Sequence, residues 1–86
     1  MSKVVVYSTA YCPYCIRAKQ LLGRKDIEYE EIPVDNDPGQ MQIMIERSQR
    51  RSVPQIFIAN QGIGGFDELA QLEAEGELDA MLGRVN

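Results

Sequence analysis

A chain of 86 residues has room for one domain, residues 1–86, and only a small core. Its hydrophobic share of 44% and charged share of 26% are those of an ordinary globular domain, and no apolar stretch nears the ~20 residues of a membrane span. Thirteen acidic against nine basic residues leave a net charge of −4, which argues against nucleic-acid binding; two cysteines and no histidine exclude a disulfide scaffold and most metalloenzyme chemistry.

Met1-Ser2-Lys3 leads straight into an apolar run, without the long hydrophobic region of a secretory signal. The expected compartment is the cytoplasm, where a lone cysteine pair is catalytic or metal-binding. Lys3–Ser8, with Val4, Val5 and Val6 in succession, reads as a central strand covered on both faces. Cys12-Pro13-Tyr14-Cys15 follows and holds the only two cysteines. Pro13 suits the first turn of a helix, where a missing N–H costs nothing. Cys15, Ala18 and Leu22 share one stripe of that helix, Ile16 and Leu21 lie beside it, and Gly23 is placed to end it.

Glu28–Val34 reads as a second strand, at an edge because of Pro33. Asp37-Pro38-Gly39-Gln40 is a helix start, with an N-cap, a proline at the first position and a glutamine in capping-box place. Met41, Met44, Ile45 and Ser48 continue it at helical spacing, the methionines as core filler. Arg47, Arg50 and Arg51 cluster at its end. They either complement the helix dipole or hold a small anion. Residues 54–59 form a third strand, Asn60-Gln61-Gly62 a hairpin turn, and Ile63 a fourth strand. Gly64-Gly65 precedes a helix that starts at Phe66-Asp67-Glu68 and buries Leu69 and Leu72. Glu77–Leu82 is a last helix, closed by Gly83. The predicted fold class is α/β, in the order βαβαββα plus a C-terminal helix. A four-stranded mixed sheet is flanked by helices on both faces, its first two strands parallel across a right-handed crossover.

The chemistry centres on the cysteine pair. Residues three apart in a helix share a face, and a disulfide needs Cα atoms roughly 4.4–6.8 Å apart, so this spacing lets two thiols close and reopen with little backbone movement. Strand, C-x-x-C, then helix within a βαβ pattern is a redox arrangement. Cys12, at the N-cap, should receive backbone N–H groups from Tyr14 and Cys15, which together with the helix dipole favour a charged, nucleophilic sulfur. Cys15, one turn in, should be more buried and protonated. Cys12 therefore attacks and Cys15 resolves the mixed disulfide. The alternative is half of a zinc site. Zinc wants four ligands, which a two-fold dimer of this chain would have to supply.

Three segments in one order resemble the dithiol glutaredoxins: Cys12-Pro13-Tyr14-Cys15, Ser52-Val53-Pro54-Gln55-Ile56-Phe57-Ile58, and Ile63-Gly64-Gly65-Phe66-Asp67-Glu68-Leu69. The match runs over essentially the whole chain, at a length like that of the short bacterial members. The resemblance implies a thioredoxin fold that binds glutathione as co-substrate, uses no metal, acts as a monomer, and reduces disulfide-containing or glutathionylated proteins. It implies a cis peptide bond before Pro54, with the Val53 backbone turned toward Cys12 to pair with glutathione like an added strand. It also implies that Gly64 and Gly65 allow close approach, that the N–H groups of Phe66 and Asp67 meet a carboxylate, that the Asp67 side chain accepts from the γ-glutamyl amine, and that Tyr14 flanks the bound sulfur.

This chain departs from the family at three positions. Thr9 stands where many members carry a lysine facing the glycine carboxylate, Tyr11 replaces a common threonine, and Gly62 a common histidine. Arg50 or Arg51 is expected to supply the missing positive charge. Two rival readings are a dimer holding a [2Fe–2S] cluster on two Cys12 thiolates and two glutathiones, which the rigid Pro13 opposes, and a thioredoxin-like protein reduced by a flavoenzyme.

Overall fold

The computed structural model describes residues 3–83; Arg84 and both ends of the predicted 1–86 domain lie outside them. Eight elements follow in chain order: β1 (Val4–Ser8), α1 (Pro13–Arg24), β2 (Glu30–Pro33), α2 (Pro38–Ser48), β3 (Gln55–Ile58), β4 (Gln61–Gly64), α3 (Phe66–Ala74) and α4 (Glu77–Met81). The four strands form one sheet in the order β2-β1-β3-β4. β1 runs parallel to β2 and antiparallel to β3, and β4 returns antiparallel to β3. This is the predicted mixed sheet and order of a thioredoxin fold. β2, with Pro33 at its end, lies at the edge as expected.

Alternation along β1 divides the core, because successive side chains of a strand point to opposite faces. Val4 and Val6 pack with Ala18, Leu21 and Leu22 of α1, Leu69 of α3 and Leu78 of α4. Val5 and Tyr7 face the other way, onto Phe57 and onto Met44 of α2. Helices therefore cover both faces, which explains why every residue of β1 is buried and why its apolar run is continuous rather than alternating. Met44 is fully buried in the second cluster, and Met41 packs at its margin. No helix among the described residues is long and apolar enough to cross a membrane.

Several predicted boundaries move. Gly23 does not end α1, which runs on to Arg24; the chain turns at Asp26, whose φ is +54°. Aspartate tolerates that left-handed conformation, and the turn returns Ile27 to the core, its N–H bonded to the Leu22 carbonyl at 2.9 Å. The hairpin turn is Ala59-Asn60, with φ of +53° and +66°, a two-residue loop whose twist matches the strands. Gly62 lies inside β4, opposite Phe57. A Cβ there would come within 3.0 Å of the Phe57 ring, so this glycine serves close packing and not the turn. The paired register then passes from Phe57–Gly62 to Ile56–Gly64, and the bulge takes up Ile63. Strands 2 and 3 are shorter than read, beginning at Glu30 and Gln55.

The helix starts are as predicted. Asp37 Oδ1 accepts from the Gln40 N–H at 3.0 Å. In α3 the N-cap is Gly65, which has no side chain to offer; Glu68 reaches back instead, its Oε1 accepting from the Gly65 N–H at 2.7 Å.

Candidate functional site

The site is assembled where β1 ends and α1 begins. Cys12 is the N-cap of α1, in extended backbone conformation, and Pro13 follows at the first helical position. The Cys15 N–H donates to Cys12 Sγ at 3.1 Å. Of the two N–H groups predicted to aim at this sulfur, Cys15's makes the bond, and none from Tyr14 occurs among the described residues. The reason is geometric: an N-cap side chain reaches the second or third helical N–H, and here it takes the third.

The two thiols are both free but differ in setting. Cys12 keeps 9% of its surface exposed and Cys15 none. Burial first, and then its hydrogen bond with Cys12, push the Cys15 thiol up to about 12; the Thr9 backbone opposes this. Cys15 is thus the more buried of the two, as expected for a residue one turn into the helix.

The loop before β3 closes over this sulfur. The Val53–Pro54 peptide bond is cis, as the resemblance implied, and the Cys12 thiol donates to the Val53 carbonyl at 3.7 Å. A residue not singled out from the sequence braces this loop. Gln55 is buried, and its Nε2 donates to the Ser52 carbonyl at 2.9 Å and to Ser52 Oγ at 3.2 Å. Its place in an apolar strand pattern concealed it.

The turn between β4 and α3 meets the same loop. Gly64 has φ of +105°, and a Cβ on it would lie 2.8 Å from Glu68, so only glycine fits. A Cβ on Gly65 would stand 3.3 Å from the Pro54 carbonyl, which measures how closely the two segments approach. Phe66 packs against the first core cluster and Asp67 is exposed in the first turn. The Tyr14 ring tilts against Phe66 with centroids 6.4 Å apart, joining α1 to α3 at the rim. The Arg17 guanidinium lies 5.3 Å from the Tyr14 centroid.

The arginine cluster predicted from the sequence is not one site. Arg47 turns to the α2 face, donating to Tyr7 Oη at 2.8 Å with its guanidinium 4.1 Å from the Phe57 ring centroid. Arg50 instead pairs with Glu68 at 3.5 Å, both side chains largely exposed. Arg51 is exposed beside it. The helix end separates them, because Gln49 caps α2 in a left-handed conformation, φ +61°, and redirects the chain between Arg47 and Arg50.

A polar trio behind Cys15 escaped the sequence because it draws on three elements. Glu31 Oε2 on β2 accepts from buried Ser8 Oγ at 2.7 Å and from Lys19 Nζ on α1 at 2.8 Å. Lys19 first and Ser8 second hold the Glu31 carboxyl below its ordinary value, and Glu31 raises Lys19 in turn. A depressed carboxylate stabilises the fold above its unfolded pKa, and that contribution disappears as pH falls through the folded value. Glu31→Gln should therefore lower the melting temperature modestly at pH 7, and the gap should start to shrink as pH falls past the ordinary carboxylate value of 4.5 and close only below the depressed folded value. Parallel melting curves at pH 7 and pH 3 check this; a constant gap would refute it.

With this geometry described, similarity to known proteins narrows the reading. The family model described as Glutaredoxin matches residues 4–63. Glutaredoxin 3 of Escherichia coli strain K12 is 48% identical over 82 residues, which are 95% of this chain and 99% of that one. The crystal structure of the buckwheat glutaredoxin–glutathione complex superimposes with a TM-score of 0.87 at 30% identity, covering 95% of this chain and 77% of that chain. The solution structure of glutaredoxin from Brucella melitensis gives 0.85 at 46% identity, over 98% and 91%.

Proposed function

The chain belongs to the glutaredoxin family and is a thiol–disulfide oxidoreductase; from that premise we propose that glutathione is its electron donor and that it reduces protein–glutathione mixed disulfides and protein disulfides. The observation that supports this most is the contact of Cys12 Sγ with the Val53 carbonyl at 3.7 Å. It places the main chain of the loop before β3 against the Cys12 sulfur.

Glutathione takes the place of an added strand on Val53. Its cysteine sulfur then falls at Cys12, flanked by Tyr14, with Pro54 and Gly65 forming the floor. Since Glu68 occupies the Gly65 N–H, the remaining N–H groups at the start of α3, those of Phe66 and Asp67, face the γ-glutamyl carboxylate. The Asp67 side chain accepts from its amine. The chain works as one domain over residues 1–86, as a monomer in the cytoplasm.

In the glutathionyl reaction the Cys12 thiolate forms a bond to the glutathionyl sulfur and the protein thiolate leaves, taking a proton from water. A second glutathione thiolate then attacks the same glutathionyl sulfur. It departs as glutathione disulfide and restores the Cys12 thiolate. With a protein disulfide the first attack forms a Cys12–protein bond, and Cys15 displaces the protein thiolate.

The test supplies the reduced protein with a small glutathionyl mixed disulfide and one of two electron sources. Turnover with glutathione and glutathione reductase, and none with thioredoxin reductase, is the expected result. The reverse would replace glutathione by a flavoenzyme donor.

Thr9 leaves the family's lysine position without charge. Arg50 compensates, because its pair with Glu68 in the first turn of α3 carries its guanidinium to the glutathione side. An exposed ion pair contributes about 0–1 kcal/mol, so Arg50→Ala should raise the KM for glutathione by up to about fivefold with kcat retained, and Arg51→Ala by less. Steady-state kinetics in which neither variant shifts KM would remove this role.

A further inference from the structure

Among the described residues, three of the four large apolar side chains that stand exposed, Tyr11, Tyr14 and Ile16, lie within four positions of Cys12. Tyr14 leans on Phe66 and has a task in the glutathione reading. Tyr11 and Ile16 have none. Tyr11 is 97% exposed and directly precedes the nucleophile. Ile16 lies one helical turn beyond it, its N–H bonded to the Cys12 carbonyl at 3.0 Å, which puts it below Cys12 on α1.

The sheet order separates the loop of Tyr11 from the glutathione groups. β2 and β3 flank β1 on opposite sides. Val53, Gly65, Phe66 and Asp67 adjoin β3 and β4. The loop that carries Tyr11 is tied the other way: the Ala10 N–H donates at 3.1 Å to Asp35 Oδ2, and Asp35 follows β2. The reactive sulfur thus sits between a flank suited to glutathione and an apolar flank with no ligand assigned.

Single exposed apolar residues are ordinary and need no explanation. These two differ in being continuous with a reaction centre. Disulfide exchange brings the substrate sulfur into contact with Cys12 Sγ, so a polypeptide attached to that sulfur must cover the adjacent rim. Tyrosine offers a large contact area at little conformational cost.

We propose that Tyr11 and Ile16 form a docking rim for the polypeptide carrying the target cysteine, favouring substrates in which aromatic or aliphatic residues flank that cysteine. The inference rests on Cys12 as the attacking sulfur. The Cys12 thiolate bonds to the substrate sulfur while the disulfide there breaks and its other sulfur leaves as a thiolate. Cys15 then gives its proton to water and displaces the docked thiolate, so two electrons pass from the protein dithiol to the substrate disulfide.

The experiment uses peptides with one cysteine held as a mixed disulfide with thionitrobenzoate, flanked either by Phe and Leu or by Gly and Ser. Stopped-flow release of thionitrobenzoate from the peptide reads attack by Cys12 with no glutathione present. At subsaturating peptide the wild type should react about three- to tenfold faster with the Phe/Leu peptide. Tyr11→Thr should remove most of that preference, Tyr11→Phe should keep it, and the Gly/Ser rate should be the same in all three. The exposure of Tyr11 leaves the fold indifferent to either change. A wild type without preference, or a preference that survives in both Tyr11→Thr and Ile16→Ser, overturns the proposal. Wild-type release no faster than in Cys12→Ser would instead show that the assignment of the nucleophile had failed, and the proposal with it.

Discussion

Cys12→Ser should abolish turnover of every disulfide substrate, while Cys15→Ser should keep reduction of small glutathionyl disulfides and lose only that of protein disulfides. The asymmetry follows from the two environments. Cys12 retains some exposure and its sulfur accepts the Cys15 N–H at 3.1 Å, so that sulfur is fixed where a substrate can reach it. A serine oxygen in that place stays protonated and does not attack. Cys15 is fully buried, and burial pushes its thiol up to about 12, so an incoming disulfide meets Cys12 first. Mass spectrometry of Cys15→Ser after one equivalent of a glutathionyl disulfide should find glutathione on Cys12. Retained activity in Cys12→Ser would refute the assignment of roles.

Most of the fold was legible because its signals are short in range. The apolar run of β1 reports burial on two faces, and Asp37-Pro38 and Phe66-Asp67-Glu68 mark helix starts through local hydrogen bonding. What failed depended on contacts between elements. Gly62 looked like a turn residue because glycine is the usual punctuation of hairpins. Its real constraint is the Phe57 ring across the ladder, which no local pattern reveals. Arg47, Arg50 and Arg51 looked like one cluster because four residues of sequence contain no record of the left-handed Gln49 between them. Ser8, Glu31 and Lys19 are ordinary polar residues in three separate elements, and only the parallel pairing of β1 with β2 assembles them. The cysteine pair, the Val53–Pro54 loop and the Gly64–Asp67 turn were legible together, through their order along the chain, and the structure brings all three to one rim.

Leu69→Ala should be the most damaging substitution outside the cysteines. Leu69 is fully buried in the first turn and a half of α3 and packs in the cluster that joins this helix to β1, β3 and α1. Truncation removes its transfer energy and leaves a cavity, at a cost of about 2–5 kcal/mol against a total stability of about 5–15 kcal/mol. For a domain of this size that lowers the melting temperature by roughly 10–30 °C. The effect on function should centre on α3. Phe66 and Asp67 lie in the turn that Leu69 anchors, whereas Cys12 is fixed locally, as the N-cap of α1 bonded to the Cys15 N–H, even though α1 shares the cluster of Leu69. At a temperature where the variant is folded, its KM for glutathione should rise while the single-turnover attack of Cys12 on a peptide disulfide keeps its wild-type rate. Met44→Ala supplies the comparison, since Met44 is equally buried but in the cluster beneath α2. It should lose comparable stability and leave that KM unchanged. Equal rises in KM for both variants would mean that general loosening, not the seat of α3, governs glutathione binding, and a Leu69→Ala protein as stable as the wild type would remove the packing argument altogether.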